Sequence, residues 1–375
     1  MIHPCRLLGL TLAVWLAFPP AARAQWQQVG RLEGGRVEGF AVKENILFAA
    51  TSKGGVFLTT NNGERWISLK QGFPAEVQCR CLAVCGTSLL VGTQEHGVFL
   101  SANNGGWWTA SNAGLPDGTG VRCFEVRGPA IFAGTSAGVF VSSDAGASWA
   151  SVNSGLPEGK GVHCLASDGE ELLAATDDGA VYVTADGGAQ WTSAAKGLPK
   201  DVHIYCLAGH QGNRLAGTEM NRILIAPKDG KGWKAVKGLP PGEVLCFAAS
   251  GTTLFAGTGG GFDMMIAKGS IINIPHGAGV LMSTDAGVKW EKVNEGLRPA
   301  PDIPILKGRI GFWIEEMAVC GPYLFAGTQE GEIWRRPLPE SGAAEASASP
   351  PSSGYAFLRD KLDRRAKPPS PAPPR

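Results

Sequence analysis

The sequence lacks two features that mark large classes of proteins. It has no long stretch rich in Ala, Glu, Lys and Leu, the composition typical of helices, and its formal net charge is only +1 over 375 residues. The near-neutral charge predicts no nucleic-acid partner, because proteins that bind nucleic acids carry a clustered basic surface. Glycine is abundant instead, with 53 residues, and only 18% of the residues are charged. This composition predicts an all-β fold of many short strands joined by tight turns.

Sequence motifs for holding a metal ion are also absent. No CxxC or HxxxH spacing occurs, and the histidines fall at unrelated positions of the repeat described below. We therefore expect no metal site and no cofactor. Five of the nine cysteines, Cys81, Cys123, Cys164, Cys206 and Cys246, recur at one position of the repeat. A small apolar side chain suits a buried strand there, so we expect mostly free thiols.

Residues 1–24 are typical of a secretory signal peptide. A positive charge at Arg6 precedes an apolar run over 7–18, and the small residues Ala22 and Ala24 mark a cleavage site. The run is too short to span a bilayer, and no later stretch is long and apolar enough to do so. We therefore expect cleavage near Ala24, no integral membrane segment, and a secreted or periplasmic protein.

A repeat of about 42 residues dominates the region 25–340. Its most regular feature is a tryptophan that returns every 40 to 42 residues, except for a last interval of 57. The tryptophans are Trp26, Trp66, Trp108, Trp149, Trp191, Trp233 and Trp290. Each unit contains four short apolar segments separated by Gly- and Asn-rich turns, which indicates four antiparallel strands. Four strands per unit at this period predict a β-propeller in which each unit is one blade.

The two ends of the repeat region complement each other. The last unit, 299–340, has only three predicted strands, and the segment 25–29 at the start matches an isolated fourth strand. If that N-terminal strand pairs into the last blade, the ring closes and leaves no free sheet edge. We therefore predict a seven-bladed β-propeller of four-stranded antiparallel blades, closed by the N-terminal strand.

The turn between the third and fourth predicted strands has the form Ser/Thr-x-Asp-x-Gly-x-x-Trp, known as an Asp-box. The full pattern occurs at Asp144 with Trp149, at Asp186 with Trp191, and at Asp285 with Trp290. The aspartate can accept hydrogen bonds from turn N–H groups, glycine permits a positive φ, and tryptophan covers the strand behind it. We therefore predict a structural role for these residues.

The Asp-boxes make the region 25–340 resemble the Asp-box (BNR-repeat) propellers. That superfamily includes sialidases, glucan-cleaving glycosidases, sortilin-like receptor domains and photosystem II assembly/stability factors. The resemblance implies the propeller fold. For function it implies either binding without catalysis or cleavage of a glycosidic bond.

Two connections are longer than their counterparts in the other units, and both are expected on one face of the propeller. They are 259–278 in the sixth unit and 297–315 between the sixth and seventh units. Long loops on a regular scaffold often carry function. Candidate ligand-binding residues in them are Asp263, Lys268, His276, Arg309 and Trp313.

A second set of candidates comes from comparing the units with one another. The position at the start of each first strand differs between units and is polar in six of seven, whereas scaffold positions repeat. Its occupants are Glu38, Arg80, Arg122, His163, Tyr205, Leu245 and Glu315. We expect these side chains to surround the mouth of the central channel. The alternative is a solvated channel lining without a ligand.

We therefore predict an exported, non-catalytic and monomeric propeller that binds a protein or a glycan through its long-loop face. The alternative is a glycoside hydrolase, sialidase-like or glucan-cleaving, in which Glu38 acts with Glu315 or Glu316 as an acid and base pair. The last segment, 341–375, is rich in Ala, Ser and Pro and predicts a disordered tail. As an alternative, 355–366 could form a short amphipathic helix on a partner.

Overall fold

The structure is a computed structural model that describes residues 25–219, 222–228, 231–240, 242–259, 262–267, 270–275, 277–298 and 312–339. All regular secondary structure within these ranges is β-strand. The strands form seven four-stranded antiparallel sheets and one separate two-stranded sheet. The predicted seven-bladed propeller is therefore confirmed.

The strands of each blade are ordered from the channel outward. The first strands are β2 (Val37–Lys43), β6 (Cys79–Cys85), β10 (Val121–Arg127), β14 (Val162–Asp168), β18 (Ile204–His210), β22 (Glu243–Ser250) and β28 (Ile314–Cys320). The second strands are β3 (Ile46–Thr51), β7 (Ser88–Thr93), β11 (Ala130–Thr135), β15 (Glu171–Thr176), β19 (Asn213–Thr218), β23 (Thr253–Gly259) and β29 (Tyr323–Thr328).

The outer strands are shorter in most blades. The third strands are β4 (Gly55–Thr59), β8 (Val98–Ser101), β12 (Gly138–Ser142), β16 (Val181–Thr184), β20 (Arg222–Pro227), β26 (Val280–Ser283) and β30 (Glu332–Pro337). The fourth strands are β5 (Ile67–Leu69), β9 (Thr109–Ala110), β13 (Ala150–Ser151), β17 (Thr192–Ser193), β21 (Lys234–Ala235), β27 (Glu291–Lys292) and β1 (Gln27–Arg31). Blades are numbered one to seven along the chain, beginning with β2.

The core lies between neighbouring blades. Every residue of β3 and of β4 is buried, because each sheet packs between two others and both of its faces leave water. This explains why these segments are apolar up to their last residue, Thr51 and Thr59, instead of alternating. In the first interface, Phe48 and Leu58 of blade one pack against Leu89 and Val91 of blade two.

The ring closes as predicted, because β1 pairs antiparallel with β30 as the fourth strand of blade seven. Trp26, just before β1, donates its indole N–H to the carbonyl of Val293 in blade six at 2.6 Å. Trp149 and Trp191 make the same contact with the preceding blade, at 3.0 and 2.7 Å. The N-terminal segment therefore joins blade seven to blade six in the way that Trp108, Trp149, Trp191 and Trp233 join their blades, a contact that Trp66 does not make. Trp290 differs, since its indole N–H donates to Gly287 in its own turn.

Asp144 illustrates the turn between third and fourth strands. Its Oδ1 accepts the Ser142 hydroxyl at 2.7 Å and the Ser148 backbone N–H at 2.9 Å, and the hydrogen bonds from Ser148 and Ser142 lower its pKa to about 2. Gly146 has a φ of 91°, and a Cβ there would lie 2.5 Å from Leu90 of the preceding blade. Asp186 and Asp285 accept the corresponding bonds from Thr184 and Ser283.

The lengthened connection of blade six contains a hairpin. Strands β24 (Phe262–Ala267) and β25 (Ser270–Pro275) pair with each other between β23 and β26. In the described ranges no helix is long and apolar enough to cross a membrane. The eight cysteines within them are all free thiols.

Candidate functional site

Each of the seven first strands carries a β-bulge at the same place. In blade one the register shifts between Val37 and Gly39, so that Glu38 has no partner on β3. The other six blades shift at the equivalent position. The extra residues are the seven that the repeat comparison selected: Glu38, Arg80, Arg122, His163, Tyr205, Leu245 and Glu315. A bulge re-aims the side chain of its extra residue, which explains why this position is free to vary.

The first strands also define the channel. Each contacts the first strands of both neighbouring blades, so the seven form a closed ring around the axis. The bulges lie where this ring meets the face that carries the connections between second and third strands. We call this opening the channel mouth. The turns around Asp144, Asp186 and Asp285 lie at the opposite ends of the strands.

One charged network crosses blades seven, one and two at the channel mouth. Arg36 donates from Nε to Glu38 Oε1 at 3.0 Å, and its Nη1 lies 3.9 Å from Glu315 Oε1. Arg80 Nη1 lies 3.8 Å from the other oxygen of Glu38, and Arg80 also donates to the amide oxygen of Gln94. The side chains of Glu38 and Glu315 are only 10% and 12% exposed. Two arginines therefore flank Glu38, whereas Glu315 has one distant cation.

A second network begins on blades three and four. Arg122 donates to Asp177 Oδ1 at 2.5 Å, and His163 Nε2 lies 2.8 Å from the same oxygen. Burial opposes ionisation of Asp177, but the hydrogen bond and charge of Arg122 lower its pKa overall. The pKa of His163 is lowered by burial and by Arg122. A Cβ at Gly161 would lie 2.7 Å from Asp177, so glycine leaves room for this cluster.

The second network continues to blade six through aromatic rings. The rings of His163 and His203 meet edge to face at 4.9 Å, and those of His203 and Tyr205 at 4.7 Å. Burial and the charge of Glu243, to which the Tyr205 hydroxyl donates, raise the pKa of Tyr205 to about 12. The channel mouth is therefore lined by two networks of polar side chains. The first covers blades seven, one and two, and the second covers blades three to six.

The two carboxyls of blade seven are stabilised in their protonated form. Burial raises the pKa of Glu315 to about 7, with Glu38 and Glu243 adding to the effect and Arg36 opposing it. Burial raises the pKa of Glu316 to about 8, although its Oε1 accepts the Met317 backbone N–H at 3.2 Å. Glu315 Oε1 is buried and accepts no hydrogen bond within the described part of the chain.

Trp313 lies beside Glu315 at the channel mouth and donates a hydrogen bond to it. A Cβ at Gly259 would lie 2.5 Å from the Trp313 ring and 2.7 Å from Leu245. Trp313 and Leu245 therefore form an apolar spot where blades six and seven meet. Leu245 is the one apolar member of the seven bulge residues.

Lys268, His276 and Arg309 lie outside the described residues, and Asp263 belongs to strand β24. Among the residues that the structure describes, no group of three or more His, Cys, Asp and Glu side chains is placed to hold a metal ion.

Sequence comparison of the units missed four residues of the channel mouth: Arg36, Asp177, His203 and Glu243. Arg36, His203 and Glu243 each precede a bulge residue by two positions. Asp177 follows the threonine that ends its second strand. Both positions also vary between units, so extending the comparison by a few residues would have found them.

Comparisons with known proteins agree with the fold. No protein-family model matches the chain, and no curated protein matches it. A structure of YCF48 bound to D1 peptide superposes with a TM-score of 0.62 at 13% identity, covering 86% of this chain and 99% of that one. The GH74 xyloglucanase from Xanthomonas campestris superposes with a TM-score of 0.62 at 18% identity, over 87% of this chain and 55% of the enzyme.

A third similar structure is the extracellular domain of BT4673 from B. thetaiotaomicron. Its TM-score is 0.61 at 14% identity, over 83% of this chain and 39% of that domain. The chain therefore spans about half of the xyloglucanase and less than half of the BT4673 domain. At these identities the likeness concerns the propeller fold alone.

Proposed function

We propose that this chain is an exported, non-catalytic propeller that binds an extended segment of a partner protein at its channel mouth. The observation that carries the proposal is the sorting of charge around the mouth. Arg36, Arg80 and Arg122 lie on blades one to three together with one carboxylate, Glu38, while the carboxylates Asp177 and Glu243 lie on blades four and six. A mouth with opposite charges on its two sides suits a peptide with charged side chains better than a neutral glycan.

The types of residue at the mouth support the same function. Arginine, tyrosine and tryptophan are the residues that most often dominate binding energy in protein interfaces. Arg122, Tyr205 and Trp313 are all at the mouth, and the side chain of Arg122 is 32% exposed. YCF48, which shares the propeller fold, has been seen with a peptide bound. The sequence alone predicts either a protein or a glycan as the binding partner. These features favour the protein.

The probe for this function is a displayed library of short random peptides. We expect it to yield peptides that bind the full chain, and Arg122→Ala to weaken their binding by at least about tenfold, because the substitution removes a charged contact from the mouth. Binding is measured by isothermal titration calorimetry. Lys289→Ser, an exposed change on the opposite face, is the matched control. If no peptide is enriched, or if both variants bind alike, the proposed site is wrong.

A second candidate function, hydrolysis of a glycosidic bond, is favoured by one observation. Glu315 and Glu38 lie on adjoining blades in unlike surroundings: burial raises the pKa of Glu315 to about 7, while Glu38 lies between two arginines. Hydrolases separate a proton-donating carboxyl from an ionised one in this way. The fold shared with the xyloglucanase is compatible with this function.

Turnover of soluble glucans, including xyloglucan, separates the two functions. For a binding protein we expect no release of reducing ends by the wild type. If the wild type does release them, and Glu38→Gln or Glu315→Gln removes the activity while the melting curve stays cooperative, the hydrolase replaces the binding function.

A further inference from the structure

Blade two carries an exposed tryptophan where the other blades do not. Trp107 is 59% exposed, the most exposed of the large apolar side chains in the described part of the chain. Its position is polar or glycine in the other units: Gln25, Arg65, Ser148, Gln190, Gly232 and Lys289. Its backbone N–H donates to Asn103 Oδ1 at 2.9 Å, a bond that any residue could make. The turn therefore does not require the indole.

A second aromatic exception lies next to it. Phe73 occupies a position that is leucine in the next five units: Leu115, Leu156, Leu198, Leu239 and Leu297. Its ring stacks on Trp108 with centroids 4.8 Å apart and meets Phe99 edge to face at 5.2 Å. Phe73 is half-buried, so part of its ring is exposed to solvent beside Trp108.

Both exceptions line one cleft at the outer side of blades one and two. The cleft has a volume of about 660 Å³, and its lining includes Trp107, Phe73 and the exposed Pro74. Exposed Glu95 and Asp117 add two carboxylates, and no lysine or arginine is among the described residues that line it. The cleft shares no residue with the channel mouth.

The C-terminal tail has the complementary composition. Residues 364–375, RRAKPPSPAPPR, contain four basic residues, five prolines and no acidic residue. Two PxxP spacings occur, from Pro368 to Pro371 and from Pro371 to Pro374. Such segments favour the polyproline II conformation, which binds aromatic-lined grooves at a small entropic cost.

We propose that the cleft is a docking site for the chain's own tail, residues 364–375. The prolines pack on the rings of Trp107 and Phe73, and the basic residues before them pair with Glu95 and Asp117. The 27 residues between Pro339 and Lys367 span up to about 90 Å when extended. A compact domain of this size is only about 50 Å across, so the tail reaches the cleft from blade seven.

Hydroxyl-radical footprinting of the full chain tests the docking directly at Trp107. We expect charge reversal of the tail, Arg364→Glu with Arg365→Glu and Lys367→Glu, to raise oxidation of Trp107 about threefold or more, because a docked tail shields the indole. The matched control reverses two charges elsewhere in the tail, Arg359→Glu with Lys361→Glu, and leaves oxidation unchanged. Equal oxidation in all three proteins overturns the proposal, and so does protection that grows with protein concentration, since a second copy then covers the cleft.

A binding measurement in trans supplies an independent readout. The chain ending at residue 340 keeps every strand of the ring, so a labelled 364–375 peptide can be titrated into it. We expect saturable binding that Trp107→Ser weakens at least about tenfold and Lys289→Ser leaves unchanged. Absence of saturable binding overturns the proposal. If instead a glucan oligosaccharide binds at Trp107 and the peptide does not, the cleft is a glycan site and the proposal also fails.

Discussion

Replacing Trp26 with alanine should lower the free energy of unfolding by about 3–5 kcal/mol, the usual cost of removing a buried aromatic side chain. Trp26 is 3% exposed and packs with Val293, Leu297 and Phe255. The substitution leaves a cavity at the seam between blades six and seven and removes the buried hydrogen bond to the Val293 carbonyl. Urea unfolding of the full chain, followed by circular dichroism, measures the loss.

The matched control is Trp107→Ala, which removes the same side chain from an exposed position of another blade; both variants are also compared in the chain ending at residue 340, in which no tail can cover Trp107. It should change the free energy of unfolding by less than about 0.5 kcal/mol, since surface substitutions away from buried contacts have small effects. If Trp26→Ala costs no more than Trp107→Ala, the N-terminal strand does not hold the ring closed. A separate early transition in Trp26→Ala would mean that blade seven opens before the other blades.

The fold was predictable because the same physical problem recurs in every unit. One four-stranded sheet cannot bury both of its faces, so a sequence that repeats the apolar strands and the tryptophan needs neighbours on both sides. The position of Trp26 before an isolated strand then identified the missing edge of blade seven. The hairpin β24–β25 was predicted only as a lengthened connection, because its pairing has no counterpart in the other units.

The channel mouth was predictable in part for a related reason. Positions that differ between units, such as Arg122 and Tyr205, stood out against those that repeat. The bulge that exposes them is a property of strand register and has no sequence signature of its own. The contact of Arg122 with Asp177 could not be predicted, because the two residues lie on different blades and 55 positions apart.

The residues that hold this propeller together are different from those at the channel mouth. The tryptophan contacts and the buried second strands repeat in most blades, so they hold the ring whatever residues stand at the mouth. The seven bulges offer positions where residues change without loss of sheet pairing, since the extra residue has no partner in the neighbouring strand. The residues at these bulges, among them Glu38, Arg80 and Glu315, are therefore not selected for packing within the sheet. This is consistent with the buried position of Glu315, which disfavours its ionised form.

Glu315→Gln should stabilise the protein at about pH 8 by on the order of 2–3 kcal/mol and have little effect near pH 4.5. The carboxyl has a pKa of about 7 in the folded chain against an ordinary 4.5. Between those values the folded chain holds a proton that the unfolded chain has lost, so the stability of the wild type falls as the pH rises through this window. Glutamine resembles the protonated carboxyl and removes that loss. Urea unfolding at the two pH values measures the difference.

Glu38→Gln is the matched control, because Glu38 occupies the same bulge position on the adjoining blade and is equally buried. It accepts a hydrogen bond from Arg36 and lies 3.8 Å from Arg80, so the substitution removes both ion pairs and should destabilise the protein at about pH 8 instead of stabilising it. Opposite signs for the two variants at one pH would show that contact with the arginines, and not burial alone, determines how each carboxyl affects stability. Destabilisation by Glu315→Gln at both pH values would contradict this prediction. It would mean that Arg36 keeps the Glu315 carboxyl ionised in the folded chain.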